Sequence, residues 1–279
     1  DTEVFPGHTL LHEFAGHGQP ETVKVLIARG ATLGRGGRSM TPLRCAIMQG
    51  RRDNARVLIE AGAEEDLWAA AALGHVERVR ALLAQDPEGA EVAPTNLNFD
   101  YSRGYSPLFL ALHHGHGEVV RVLIEAGHVP SSNELMLAAR KDDPALVKLL
   151  MERQDSMSAS DVEGALLNAI AAKNWKIARQ LLEADIDYST KSSWRSYAIE
   201  CNNAEIAQAL FDKGFTVDEV SLSSAVMDGH ADVVEVILRN GGDAAEARRL
   251  AEAMNQAAML PMIRKYEKAG KSKEGPADP

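Results

Sequence analysis

The sequence predicts an all-α fold, a solenoid of stacked helix-turn-helix repeats joined by short, hairpin-like connections. An apolar segment that ends in Gly recurs in the chain, and a segment that begins with Thr or Ser precedes each copy. Aromatic residues make up only 5% of the 279 residues, so the core must consist of Ala, Leu, Val and Ile, which favours closely packed helices. The apolar segment lies at residues 25–31, 57–63 and 122–128, and the upstream segment at 9–12, 41–44 and 106–109.

The upstream segment begins the first helix of each repeat. Thr41 and Ser106 have side-chain oxygens that can accept hydrogen bonds from the first free N–H groups of a helix. Pro42 and Pro107 follow at the first helical position, where a missing N–H costs nothing. Small residues such as Ala46 come next and allow neighbouring first helices to approach closely.

The apolar segment forms the second helix of each repeat. Larger apolar residues follow one another at helical spacing there, for example Val233 and Ile237. A glycine follows this helix at residues 30, 62, 127 and 214, where a left-handed residue ends it. No single repeat can bury its apolar face, so stacking must supply the core.

The combined pattern resembles the ankyrin repeat, and residues 7–18, which read GHTLLHEFAGHG, show it most clearly. The resemblance implies an ankyrin-repeat domain over residues 1–270 that ends in a helical cap from about Asp243 to Gly270. Repeats 6 and 7 match least, and Arg195 stands where the family has Leu, so their register stays open. The eight predicted repeats begin near Thr9, Thr41, Glu65, Ser106, Asn133, Gly164, Ser193 and Val220.

Two segments depart from the repeat. Residues 86–104 form an insertion between repeats 3 and 4 that has no helical period and exceeds ordinary connections. Its rings, Phe99 and Tyr101, leave two interpretations open: a functional loop, or rings that pack on their own repeat. The polar residues 271–279 are predicted to be a disordered tail.

Charge and cysteine content exclude several classes of protein. The net charge of −10 argues against nucleic-acid binding, which needs Lys and Arg for the phosphates, and against an anionic membrane surface. Two cysteines, Cys45 and Cys201, are too few to stabilise a chain of this size by disulfide bonds, which favours a reducing, cytoplasmic location. No apolar run reaches the length of a membrane span, and no signal segment opens the chain. Because the first residue is Asp1, an upstream targeting segment or a longer polypeptide also agrees with the sequence.

The histidines do not have the spacing of a catalytic or metal site. His12 and His17 are five residues apart, whereas a zinc-protease helix needs four. His113, His114 and His116 point to different sides of a helix, and the resemblance gives His12 and His116 structural roles. We therefore predict a non-enzymatic protein without metal or cofactor.

The resemblance implies that hairpin tips and first helices line a concave groove that binds a partner. Between residues 35 and 56, six arginines stand against one acid, Asp53, which predicts a protein or peptide partner with acidic and apolar residues. Arg51, Arg52 and Arg56 are expected on a second helix, away from the groove. The groove positions are Arg38, Met40, Met48, Gln49, Arg103, Tyr105, His113, His114, Arg140 and Lys141.

An alternative interpretation is a small-molecule or catalytic site in the groove of repeats 2–5. Arg103, Tyr105, His113 and His114 would form it, and residues 86–104 would cover it. A deep enclosed pocket beneath that loop would favour this alternative, whereas an open shallow groove would favour the interaction scaffold. A third interpretation is an interaction arm of a longer polypeptide.

Overall fold

The computed structural model describes residues 3–5, 8–34, 40–85, 105–152, 158–184, 202–214 and 219–271. The chain divides into two compact units, Asp1–Glu134 and Leu135–Pro279. Helices dominate both units within these ranges, which confirms the predicted all-α class.

Unit 1 begins with a short antiparallel hairpin in which Glu3 pairs with Thr9. Four helix pairs follow, each with a first helix that begins after a capping residue and a second helix that returns. The elements are β1 Glu3–Phe5, β2 His8–Thr9, α1 Leu10–His17, α2 Pro20–Ala28, α3 Pro42–Met48, α4 Arg52–Glu60, α5 Leu67–Leu73, α6 Val76–Gln85, α7 Pro107–His114 and α8 Gly117–Glu125.

Unit 2 continues the same pattern, and its first helix crosses the boundary between the units. The predicted start of repeat 7 at Ser193, together with Cys201 and Arg195, lies outside the described residues. The elements are α9 Ser132–Arg140, α10 Pro144–Met151, α11 Ala159–Ala171, α12 Trp175–Glu183, α13 Ala204–Asp212, α14 Glu219–Met227, α15 Ala231–Arg239, α16 Ala244–Ala253, a 3₁₀ turn Ala257–Met259 and α17 Leu260–Lys271.

Capping side chains determine where the first helices begin. Thr41 Oγ1 accepts from the Arg44 N–H at 3.2 Å, and Ser106 Oγ accepts from the Phe109 N–H at 2.9 Å. Both contacts confirm the predicted caps. Ala46 and Ala111 are fully buried, as the predicted close approach of first helices requires.

Four predicted repeat starts differ from the observed helix starts. The prediction anchors each start on the Thr position of the pattern, and the length of the first helix varies between repeats. Asp66, not Glu65, caps α5, and α9 begins at Ser132, before Asn133. Ser158 caps the longer helix α11, so Gly164 lies inside it, and Val220 lies inside α14, which begins at Glu219.

The turns explain why repeat 6 is hard to recognise in the sequence. Gly50 and Gly115 have a positive φ after α3 and α7, and Lys173 adopts φ +58° at the corresponding place after α11. A non-glycine residue in that left-handed conformation removes the signature on which the register depends. The predicted glycines after second helices, Gly30 and Gly62 among them, do have positive φ.

Successive helices of the same kind pack on one another within each unit. In unit 1, α1, α3, α5 and α7 form consecutive contacts, and α2 packs on α4. In unit 2, the second helices α10, α12, α13 and α15 contact one another in turn, and α14 packs on α16. Leu43 and Leu58 lie in the core of unit 1, and Val234 and Ile237 in that of unit 2.

Polar side chains join neighbouring repeats as well. Asn54 at the start of α4 is buried, and its amide donates to the carbonyl oxygens of Ala15 at 2.9 Å and Gly18 at 3.0 Å. In unit 2, Asn174 donates to Ala139 O at 3.0 Å. These bonds satisfy carbonyls at the end of the preceding first helix, which otherwise lack partners.

Candidate interaction surface

The predicted groove residues of unit 1 lie at the two ends of first helices. Met40 precedes the cap of α3, Met48 ends that helix and Gln49 follows it. Tyr105 precedes the cap of α7, and His113 and His114 end α7. In unit 2, Arg140 is the exposed last residue of α9 and Lys141 is half-buried after it. Arg38 and Arg103 lie outside the described residues, as does the 86–104 insertion.

Three aromatic side chains form a row along α7. The ring centroids of Tyr105 and Phe109 are 4.4 Å apart with an interplanar angle of 11°, and those of Phe109 and His113 are 6.0 Å apart at 10°. Tyr105 is 40% exposed, His113 is exposed and Phe109 is half-buried. We call these three residues the aromatic row. Sequence reasoning missed Phe109 as a surface residue, although the spacing of four between successive rings signals one helix face.

The aromatic row is fixed to the preceding repeat at both ends of α7. Trp68 Nε1 donates to the Tyr105 carbonyl oxygen at 3.1 Å. His116 Nε2 donates to the Ala72 carbonyl oxygen at 3.1 Å. Burial of the His116 imidazole lowers its pKa, which favours the neutral ring in this structural position. Both contacts reach α5, so the row is held before any partner arrives.

His12 connects repeat 1 to repeat 2 in the same way as Trp68 connects repeat 3 to repeat 4. The Thr9 N–H donates to His12 Nδ1 at 3.0 Å, which leaves the proton on Nε2, and Nε2 donates to the Met40 carbonyl oxygen at 3.2 Å. His12 is 1% exposed, so its predicted structural role is confirmed. Trp68 and His12 each lie six residues before the glycine that follows their helix, and each contacts the residue before the cap of the next first helix.

Arg44 links the first helices of repeats 2 and 3. Its guanidinium Cζ lies 5.0 Å from the centroid of the Trp68 ring, and Nη2 lies 2.5 Å from Asp66 Oδ2. One positive charge of the predicted basic stretch is therefore balanced within the protein. Arg52 and Arg56 are exposed on the second helix α4, as expected.

The described side chains do not gather into a metal centre. No group of three or more His, Cys, Asp or Glu that could hold a metal ion is found within the described residues. Burial raises the pKa of the Cys45 thiol to about 12, so the reactive thiolate is disfavoured, and the side chain packs against the core of unit 1. Within the same ranges, no helix is both long and apolar enough to cross a membrane.

Stacked helix pairs with exposed first-helix residues define a helical repeat protein. A family model for ankyrin repeats matches three copies in the chain, at residues 1–67, 65–134 and 135–221. The chain therefore belongs to the ankyrin-repeat family, as predicted. Ankyrin repeats are in general protein–protein interaction modules, and domains of this family are typically non-enzymatic.

Individual relatives are distant. The chain is 25% identical over 240 residues to the ankyrin repeat and KH domain-containing protein mask-1 of Caenorhabditis elegans. That match covers 81% of this chain but spans only 8% of the length of the relative. Among solved structures, the ankyrin repeat domain of Bcl-3, a member of the IkappaB protein family, has 24% identity, a TM-score of 0.48 and covers 65% of this chain and 88% of its own. The human ASB11 ankyrin repeat domain has 19% identity, a TM-score of 0.43 and covers 85% of this chain and 99% of its own.

Proposed function

We propose that the protein is a non-enzymatic scaffold whose first helices in repeats 2 to 4 bind a segment of a partner protein. The aromatic row forms the part of this surface in repeat 4, and Met40, Met48 and Gln49 form the part in repeat 2. By the family resemblance, Arg38 and Arg103 are further proposed contact residues of repeats 2 and 4, and Arg140 and Lys141 of repeat 5, in unit 2, are a separate prediction. The partner segment combines apolar and acidic residues.

One observation supports this proposal above the others. Three rings stand in line on the outside of α7, and two hydrogen bonds, Trp68 to Tyr105 and His116 to Ala72, join the two ends of that helix to α5. Tyr is one of the residue types enriched at binding hot spots, and a preorganised surface loses less entropy on binding. A purely structural role would not require Tyr105 to be 40% exposed.

The experiment is affinity capture with mass spectrometry, using the full chain as bait. Tyr105→Ala and His114→Ala should each lose the same partner, because they remove contacts at the two ends of α7. Arg121→Ala is the matched control, since Arg121 is exposed on the second helix α8 of the same repeat. A partner retained by both test variants, or lost equally by the control, would overturn the proposal.

A further inference from the structure

The aromatic row also has features that discriminate between partners by charge. We infer that the row binds negatively polarised oxygen atoms of a partner, namely the carboxylates of Asp and Glu and main-chain carbonyls. It disfavours Lys and Arg side chains at the same place. This inference rests on the proposed function and adds the chemistry by which the surface selects its partner.

The orientation of the rings is the first step. Tyr105, Phe109 and His113 stand nearly parallel along α7, with interplanar angles of 11° and 10°. Each ring in such a row turns its faces toward its neighbours and its edge toward the solvent. An aromatic ring is negative at its face and positive at its edge. The row therefore presents its positive edges to a partner.

The aromatic faces are the second step. A cation binds an aromatic ring over its face, within about 6 Å of the centroid. Tyr105 stacks on Phe109 at a centroid distance of 4.4 Å, and His113 lies nearly parallel to Phe109 at 6.0 Å. Arg44 occupies a face of Trp68 at 5.0 Å. A Lys or Arg of a partner that bound at the Tyr105–Phe109 stack or on the Arg44 side of Trp68 would have to displace an internal contact.

The distribution of charge is the third step. The helices α3, α5 and α7 contain no Asp or Glu, although the whole chain has a net charge of −10. Their charged or titratable groups, apart from the buried Cys45 thiol, are Arg44, His113 and His114. The acids just before α5 are Asp66, which pairs with Arg44, Glu65, which pairs with His75, and the exposed Glu64. These helices thus carry no carboxylate of their own on an acidic protein, so an acidic partner is not repelled there.

A library of short random peptides, displayed on phage and selected on the full chain, tests the inference. We expect Asp, Glu and apolar residues to be enriched and Lys and Arg to be depleted relative to the unselected library. The best peptide is then compared by fluorescence anisotropy with two counterparts that carry Gln or Lys at every acidic position. The acidic form should bind about tenfold more tightly than the Lys form, with the Gln form between them.

Phe109→Leu separates ring chemistry from apolar contact. Leu keeps an apolar side chain at this half-buried site but removes the ring edge, so the preference for the acidic peptide over the Gln peptide should shrink while the Gln peptide still binds. Arg121→Ala should preserve the full preference, and circular dichroism should show that both variants are folded. Equal or tighter binding of the Lys peptide, or an unchanged preference in Phe109→Leu, would refute the charge selection alone. No selected peptide at all, or a selected peptide that Tyr105→Ala still binds, would refute the proposed function with it.

Discussion

Trp68 donates its indole N–H to the main-chain carbonyl of Tyr105 at 3.1 Å and so connects the first helix of one repeat to the entry of the next. His12 contacts the Met40 carbonyl in the same way at 3.2 Å. Two chemically different side chains thus make the same kind of contact, because each extends an N–H donor from a position six residues before the glycine that follows its helix, Gly18 or Gly74. The connection at Trp68 matters most, since Tyr105 begins the aromatic row.

Removal of this donor should lower the stability of the helix stack and the affinity of the surface for a peptide. Trp68→Phe keeps a buried ring but leaves the Tyr105 carbonyl without its donor, which should cost about 1–3 kcal/mol. Urea denaturation measures this loss, and anisotropy with a selected peptide measures the accompanying loss of affinity. An unchanged midpoint together with unchanged affinity would show that the bond does not hold the row.

The close approach of first helices sets a limit on side-chain size. Ala46 is fully buried between neighbouring repeats, so Ala46→Leu should overpack the core and destabilise the protein by about 1–3 kcal/mol. Ala28→Leu is the matched control because Ala28 is exposed at the end of α2. Thermal unfolding should show a lower midpoint only for Ala46→Leu, and equal midpoints would argue against the packing.

A buried carboxylate makes the stability of unit 1 depend on pH. Burial by itself would raise the pKa of Glu134, but hydrogen bonds from His128, the Ser106 hydroxyl and the Ser131 N–H lower it below its usual value. A lowered folded-state pKa means that the ionised carboxylate stabilises the protein above its unfolded-state pKa, and that this stabilisation is lost as pH falls through the folded-state pKa.

Glu134→Gln should therefore be less stable than wild type near neutral pH, by about 1–3 kcal/mol. The difference should shrink as the pH falls through the range in which Glu134 becomes protonated in the folded protein. Urea midpoints measured from about pH 7 to about pH 3 give both curves. Glu118→Gln, at an exposed position of α8, should follow the wild type. A constant gap between Glu134→Gln and wild type across this range would contradict the linkage.

The Cys45 thiol should be unreactive in the folded protein. Its pKa of about 12 leaves almost no thiolate near neutral pH, and the thiolate is the nucleophile. In a Cys201→Ser background, a thiol-specific reagent should label Cys45 far more slowly in native than in urea-unfolded protein. Equal rates in the two states would mean that Cys45 is not protected.

Most of the fold was predictable because capping residues mark the start of many first helices in the sequence. Thr41 and Ser106 cap helices as their sequence context predicts, and Ala46 is buried as its size suggests. The register of repeat 6 was not predicted, because Lys173 adopts the left-handed conformation that glycine adopts in the corresponding turns of other repeats. The start of α11 at Ala159 depends on a cap at Ser158, which lies upstream of the repeat pattern.

The candidate surface was predictable only in part. Tyr105 and His113 follow from the family pattern, but the stacking that joins them through Phe109 depends on side-chain orientation along α7. Arg44 and Asp66 form an ion pair between neighbouring repeats. This pair was not predicted, because Glu65 and not Asp66 was assigned as the start of repeat 3. The partner contacts of all ten predicted groove residues stay predictions.

Site-specific photocrosslinking tests the central claim most directly. A benzophenone amino acid replaces Tyr105 in one variant and Arg121 in another, and each full chain is irradiated with a cell extract. We predict that the variant labelled at position 105 forms a discrete crosslink to a partner protein whose crosslinked peptide is rich in acidic and apolar residues, whereas the variant labelled at position 121 does not. A partner captured only from position 121, or from both positions equally, would contradict the assignment of the aromatic row as the binding surface.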